Sequence, residues 1–153
     1  MVKITPKTTV KQHLQADCPS HSRADVSVRD VGLVIDEPEA RGGTNMGPSP
    51  TETAIAALVG CTNVIGNKVA HKLGLDISNL QVSAEADFDR RGVTLTEEID
   101  VPFPRILLRI ELDTNASQAE IDNMAAEVAK YCPVAKVFRQ AGTMIDEEWV
   151  IRS

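Results

Sequence analysis

The segment Ser49-Pro50-Thr51-Glu52 constrains this chain more than any other part of it. A serine followed three residues later by glutamate, with proline at the first helical position, is a reciprocal capping box. The Ser49 hydroxyl accepts from the Glu52 amide, and the Glu52 carboxylate accepts from the Ser49 amide. Downstream, Ala54, Ala57, Leu58, Cys61, Val64, Ile65 and Val69 recur at three- and four-residue spacing, and Gly74 supplies a stop. The spacing predicts a helix of about 24 residues, roughly 36 Å long. That is long for a small domain. Its middle is rich in Ala, Gly, Thr and Val, so close packing on most sides is expected, with this as the central helix.

A second box, Ser117-Gln118-Ala119-Glu120, opens a helix whose stripe is Ile121, Met124, Ala125, Val128 and then Tyr131 or Cys132. Pro133 blocks simple continuation and sits at the first position of a further short helix reaching Gln140. The remaining segments favour strands. Arg23 to Arg29 alternates and Gly32 to Ile35 resumes after a turn at Asp30. Leu80 to Phe88, Phe103 to Leu112 and Thr143 to Ile151 read as three further strands, with Thr8 to Ala16 a weaker first one. The Gly/Pro-rich stretch from Asp36 to Pro48 reads as a loop, not a linker, because the parts on either side are too small to fold alone. A single domain over residues 1–153 is expected, of class α+β with mostly antiparallel pairing.

Composition narrows the function classes. The chain of 153 residues carries a formal charge of −6 and only five aromatic residues, a poor basis for nucleic-acid binding. No uninterrupted apolar run approaches the roughly 20 residues of a membrane span, and the N-terminal residues lack an apolar signal core. A cytoplasmic location is therefore expected, where Cys18, Cys61 and Cys132 would be reduced unless two of them form a catalytic or redox-sensing pair.

Each candidate residue has two readings. Cys61 on an apolar stripe is either a small buried hydrophobe or a reactive thiol that needs help to ionise. His71 cannot supply that help from the same helix, lying about 15 Å along the axis and roughly 80° around it. Cys132, just before Pro133, either ends one helix as a buried residue or caps the next, where amides and the dipole favour a thiolate. Glu52 has a structural role in its capping box, and Arg23 fits a solvated strand face. Cys18, His21 and His13 make a poor zinc set. The Gly42-Gly43 loop matches neither a dinucleotide fingerprint nor a P-loop, so no metal and no cofactor are implied.

Three segments together resemble a known family. Asp36-Glu37-Pro38, then Gly42-Gly43-Thr44-Asn45-Met46-Gly47-Pro48-Ser49-Pro50-Thr51-Glu52 and Ala56-Ala57-Leu58-Val59-Gly60-Cys61-Thr62, look like the signature of OsmC-like proteins. Gly74-Leu75-Asp76-Ile77 leading into a strand, and Cys132-Pro133-Val134 after a capped helix, fit the same pattern. The likeness runs from about Val26 to the C-terminus.

The resemblance implies an intertwined homodimer of antiparallel sheets wrapped around long central helices. It also implies, for peroxidase members, reduction of organic hydroperoxides at the expense of a small or protein-borne dithiol. Carried over, Cys61 would be the peroxidatic thiol and Cys132 the resolving one, with Glu52 and an arginine supporting the thiolate. Two positions depart from the peroxidase pattern. A gapless alignment on Pro38 places Ser20 where those peroxidases carry their arginine, with Arg23 three residues later. Glu52 stands nine residues before Cys61 where they have ten, a change of about 100° around a helix. The rival reading is a non-catalytic dimer of the same fold that binds a small apolar ligand or serves stress adaptation. A thiol hydrolase is a third, weakened by the lack of a locally placed histidine.

Overall fold

The computed structural model describes residues 7–153; residues 1–6, which carry the expectation of no signal core, lie outside the described residues. The fold is α+β, with two three-stranded sheets and a long helix. Two compact units divide between Thr53 and Ala54.

The first unit holds β1 (Gln15–Asp17), β2 (Ala24–Val28) and β3 (Val31–Ile35), antiparallel and in that order. The turn expected at Asp30 is there: Val28 faces Val31, and Arg29 takes φ +54° to let the chain reverse in two residues. The first strand is shorter than expected. Of the segment from Thr8 to Ala16, only Gln15 and Ala16 join the ladder, because β2 offers partners only from Ser27 to Asp25. The register puts Ala16, Ala24, Val26, Val28, Val31, Leu33 and Ile35 on one face, yet none of them is buried; Val31 remains 51% and Leu33 39% exposed.

Beyond β3 the loop is built around Asp36, whose carboxylate is fully buried. It accepts from the Ser22 and Thr44 hydroxyls and from the amides of Glu37, Thr44 and Met46. These five donors hold its carboxyl well below the usual range, the Thr44 hydroxyl contributing most. A single 3₁₀ turn at Glu39–Arg41 follows. Two glycines are required by close backbone approach: a Cβ on Gly43 would lie 1.9 Å from the Glu37 carbonyl oxygen, and one on Gly47 2.1 Å from that of Val34.

α1 (Pro50–Leu73) begins in the last residues of this unit and runs on into the second. Both halves of its capping box are present, Ser49 N–H to Glu52 at 2.8 Å and Glu52 N–H to Ser49 Oγ at 3.3 Å. It ends in a Schellman motif, with Gly74 N–H on the His71 carbonyl and Leu75 N–H on that of Ala70.

The second unit adds β4 (Ile77–Ala86), β5 (Arg105–Thr114), α2 (Gln118–Tyr131), α3 (Pro133–Gln140) and β6 (Met144–Ile151). Pro102 and Pro104, read as the way into the fifth strand, lie outside it and start the ladder at Arg105, two residues later than expected. The sheet order is β4-β5-β6; the expected mostly antiparallel pairing holds for three of the four strand pairs described, and the wholly antiparallel sheets that the resemblance implies need correction here. β4 and β5 are antiparallel, but β5 and β6 are parallel. The physical reason is the connection: α2 and α3 carry the chain back across the sheet, so β6 enters in the direction of β5.

The core of this unit is the inner face of β5, where Ile106, Leu108, Ile110 and Leu112 are fully buried. Ile121, Met124 and Val128 of α2, Ala135 and Phe138 of α3, and Leu58, Val69 and Ala70 of α1 close over it. α1 differs from its forecast. It buries Leu58, Thr62, Gly66, Val69 and Ala70 along one stripe, while Ala57 and Val64, placed on the stripe from sequence, are exposed. By length and composition α1 falls in the range of a membrane span, with a mean hydropathy of 1.2 in its most apolar window. Its buried stripe, however, is part of the core of the second unit.

Candidate functional site

The unbroken α1 and the α2–α3 junction bring two thiols together. Cys61 lies midway along α1, half-buried, and packs against the core cluster that contains Cys132. Cys132 is 1% exposed and occupies the junction itself, as C-cap of α2 and N-cap of α3. Its N–H still bonds the Val128 carbonyl of α2, and its own carbonyl accepts from Lys136 of α3. Pro133 forces this break, since it has no N–H to continue α2, and it starts α3 with a preset φ. Cys61 thus lies near enough to Cys132 to influence its thiol, and both cysteines are free thiols.

The electrostatics of the pair run against the simple capping expectation. Burial pushes the Cys132 thiol up to about 11, and the neighbouring Cys61 adds to the rise. The amides of Ala135 and Val134 at the start of α3 pull the other way without winning. Cys132 makes no regular side-chain cap, so it is a protonated thiol at neutral pH. Thr62, beside Cys61 in sequence, is buried and satisfied by the Leu58 carbonyl at 2.8 Å. His71 is exposed two turns and more beyond Cys61, too far along the same helix to act as its base.

The other two residues singled out from sequence belong to the first unit, and each has a partner there. Arg23 sits just before β2 and holds Asp25 through Nε at 2.7 Å and Nη2 at 3.0 Å. That hydrogen-bonded pair raises its pKa, with Asp36 adding a weaker attraction. Glu52 is the return half of the capping box; the Ser49 amide and hydroxyl lower its pKa, and the charge of Arg41 contributes less. Cys18 is exposed and free. Among the described residues no three His, Cys, Asp or Glu side chains converge as a metal-binding group.

Two features escaped the reading of the sequence. Asp36 was visible only as part of a motif; its burial under five donors depends on the return of residues 44–48 beside β3, where Asp36 N–H bonds the Pro48 carbonyl at 3.0 Å. The second is on the helix-facing side of β6, where Glu147 accepts from Arg139 of α3 and from the Trp149 indole. Glu147 shares the face of Trp149 in β6, and nothing in the local sequence signalled its partners.

Comparison with known proteins places this geometry. The family profile described as OsmC-like protein matches residues 43–148. No curated protein matches the chain. Among solved structures, an OsmC-like protein from Mycoplasma pneumoniae superposes with a TM-score of 0.78 at 18% identity, covering 94% of this chain and 99% of that one. An organic hydroperoxide resistance protein OsmC from Legionella pneumophila gives 0.64 at 15% identity, covering 96% and 100%. An organic hydroperoxide resistance protein from Bacillus subtilis gives 0.59 at 16%, covering 92% and 98%. At such identities these structures share the fold, while the profile match extends over well over half of the sequence, and on that ground the chain belongs to the OsmC-like family.

Proposed function

We propose that this protein is a cytoplasmic, thiol-dependent peroxidase that reduces organic hydroperoxides in oxidative stress defence. The observation that carries this reading is that Cys61 and Cys132 are brought together in one apolar cluster. The Cys61 thiolate attacks the distal oxygen of the hydroperoxide, releases an alcohol and becomes a sulfenic acid. The Cys132 sulfur condenses with it, water leaves, and a Cys61–Cys132 disulfide forms; an external dithiol then reopens it by exchange. The two sulfurs differ in a way that suits these roles. Cys61 is partly exposed, open to a substrate, whereas Cys132 is buried beside it. The apolar surroundings favour an alkyl hydroperoxide over hydrogen peroxide.

The working form in this reading is a homodimer. The apolar face of the first unit supports it, because seven residues from Ala16 to Ile35 share one side of a sheet and none is buried. A second copy of the chain is the cover that the family resemblance implies.

The rival, a non-catalytic dimer that binds a small apolar ligand, is favoured by one observation: Arg23 and Glu52 are both engaged by neighbours, Asp25 and Ser49. One experiment decides between them. Cumene hydroperoxide and dithiothreitol are mixed with wild type, Cys61→Ser and Cys132→Ser, and peroxide loss is followed. A peroxidase loses all turnover in Cys61→Ser. Wild-type consumption no faster than that of Cys61→Ser would leave the non-catalytic reading.

A further inference from the structure

Cleavage of a hydroperoxide needs a proton that the attacking thiolate does not supply. The proton of the hydroperoxide stays on the oxygen that Cys61 captures, and the other oxygen departs as an alkoxide, a far stronger base than any thiolate. A positioned acid that protonates it as the O–O bond breaks lowers that cost. Among the described residues of one chain, few groups around the two thiols can do so. The Thr62 hydroxyl is committed to the Leu58 carbonyl at 2.8 Å, and the Trp149 indole N–H to Glu147 at 2.9 Å. Lys130, Tyr131 and Lys136, the ionisable neighbours of Cys132 along α2 and α3, are exposed, and His71 is too far along α1. What remains is the S–H of Cys132 itself. It is 1% exposed, lies in the apolar cluster against which Cys61 packs, and makes no side-chain cap bond.

We propose that Cys132 is the general acid of peroxide cleavage before it is the resolving thiol: its S–H protonates the departing alkoxide, and the thiolate so formed is the nucleophile of the next step. The inference rests on the peroxidase reading above. It also resolves a difficulty in that reading. Burial pushes the Cys132 thiol up to about 11, so ionisation by itself leaves only about one part in ten thousand as thiolate at neutral pH. Proton transfer to the alkoxide creates that thiolate at the moment the sulfenic acid appears beside it. The start of α3 suits the new anion, because the amides of Val134 and Ala135 bond to the Cys132 sulfur and favour its charged form.

The sequence balances without a further reactant. The Cys61 thiolate attacks the distal oxygen, the O–O bond breaks, and Cys61 holds the S–OH group while the alkoxide takes the Cys132 proton and leaves as an alcohol. The Cys132 thiolate then attacks the Cys61 sulfur, an S–S bond forms, and hydroxide leaves. With the proton that Cys61 gave up on ionising, that hydroxide makes water. Two electrons pass from the two thiols to the hydroperoxide.

The test isolates the first chemical step. Reduced protein is mixed with oxidant in the absence of a reductant, and loss of the Cys61 thiol is followed by rapid quenching into an alkylating agent and mass spectrometry. Two oxidants are compared: cumene hydroperoxide, whose alkoxide needs a proton to leave, and peracetic acid, whose acetate does not. Cys132→Ala is expected to slow the reaction with cumene hydroperoxide about 100-fold or more and to change that with peracetic acid less than about threefold. Cys132→Ser, close in size and still an O–H donor, gives a smaller loss confined to the same oxidant and serves if the alanine variant does not fold. Unchanged rates with cumene hydroperoxide would leave Cys132 a resolving thiol alone, and equal losses with both oxidants would leave it a shaper of the site; either overturns the proposal. Failure of the peroxidase reading looks different: wild type itself consumes cumene hydroperoxide no faster than Cys61→Ser, and the proposal falls with it.

Discussion

Cys61 and Cys132 are 71 residues apart in sequence and come together in one apolar cluster, the first half-buried on α1 and the second fully enclosed at the α2–α3 junction. The asymmetry has a consequence for pH. Cys132 begins from an ordinary value of 9.0 and is pushed up to about 11 by burial, so the unfolded chain gives up this proton before the folded one does. Folding stability is therefore unaffected below about pH 9 and falls between pH 9 and 11, by roughly 2–3 kcal/mol in total. Urea unfolding of wild type and Cys132→Ala across that window checks it. The alkaline loss should be smaller in the variant, and equal slopes would count against a raised Cys132.

Asp36 gives the opposite dependence. Its folded-state pKa is depressed by five hydrogen-bond donors, so its contribution is complete above the unfolded value near 4 and is lost as pH falls below it. Asp36→Asn keeps the shape but turns an amide group toward donors that need an acceptor. The cost is about 2–4 kcal/mol, with loss of the acid limb of the stability profile. Thermal melts of both proteins from pH 3 to 7 measure both effects.

Backbone contact makes Gly47 irreplaceable by any residue with a side chain. A methyl there would fall 2.1 Å from the Val34 carbonyl oxygen, which cannot move without breaking the β2–β3 ladder. Gly47→Ala should therefore cost at least about 2 kcal/mol, read from the shift of the urea midpoint at constant slope.

The two faces of β5 should respond differently. Leu108→Ala empties a fully buried position in the middle of the second sheet, at a cost of about 2–5 kcal/mol. Arg105→Ala removes an exposed ion pair with Asp146, worth less than about 1 kcal/mol. Parallel urea titrations of the two variants give the comparison directly.

For the proposed homodimer, the apolar face of the first unit is the place to intervene. Val31→Lys/Leu33→Lys puts two charges on it, 51% and 39% exposed in the protomer. Sedimentation velocity should show a dimer for wild type and a monomer for the variant, without loss of the second unit's helical signal. A variant that stays dimeric would assign that face another cover.

What the sequence determined by itself was local. Both capping boxes, the proline break between α2 and α3 and the turn at Asp30 are set by side chains acting within four residues of themselves, so they could be read from spacing alone. The motif from Asp36 to Thr62 fixed the family for the same reason, and with it the interest in Cys61 and Cys132. The tertiary structure decided what depends on distant partners. The parallel entry of β6 beside β5 follows from where α2 and α3 cross the sheet, which no local pattern states. Which stripe of α1 is buried was set by the core it meets, so Thr62 and Gly66 replaced Ala57 and Val64. The protonated state of Cys132 was decided the same way. A helix start favours a thiolate, but enclosure by the core costs the anion more, and only the folded chain shows that enclosure.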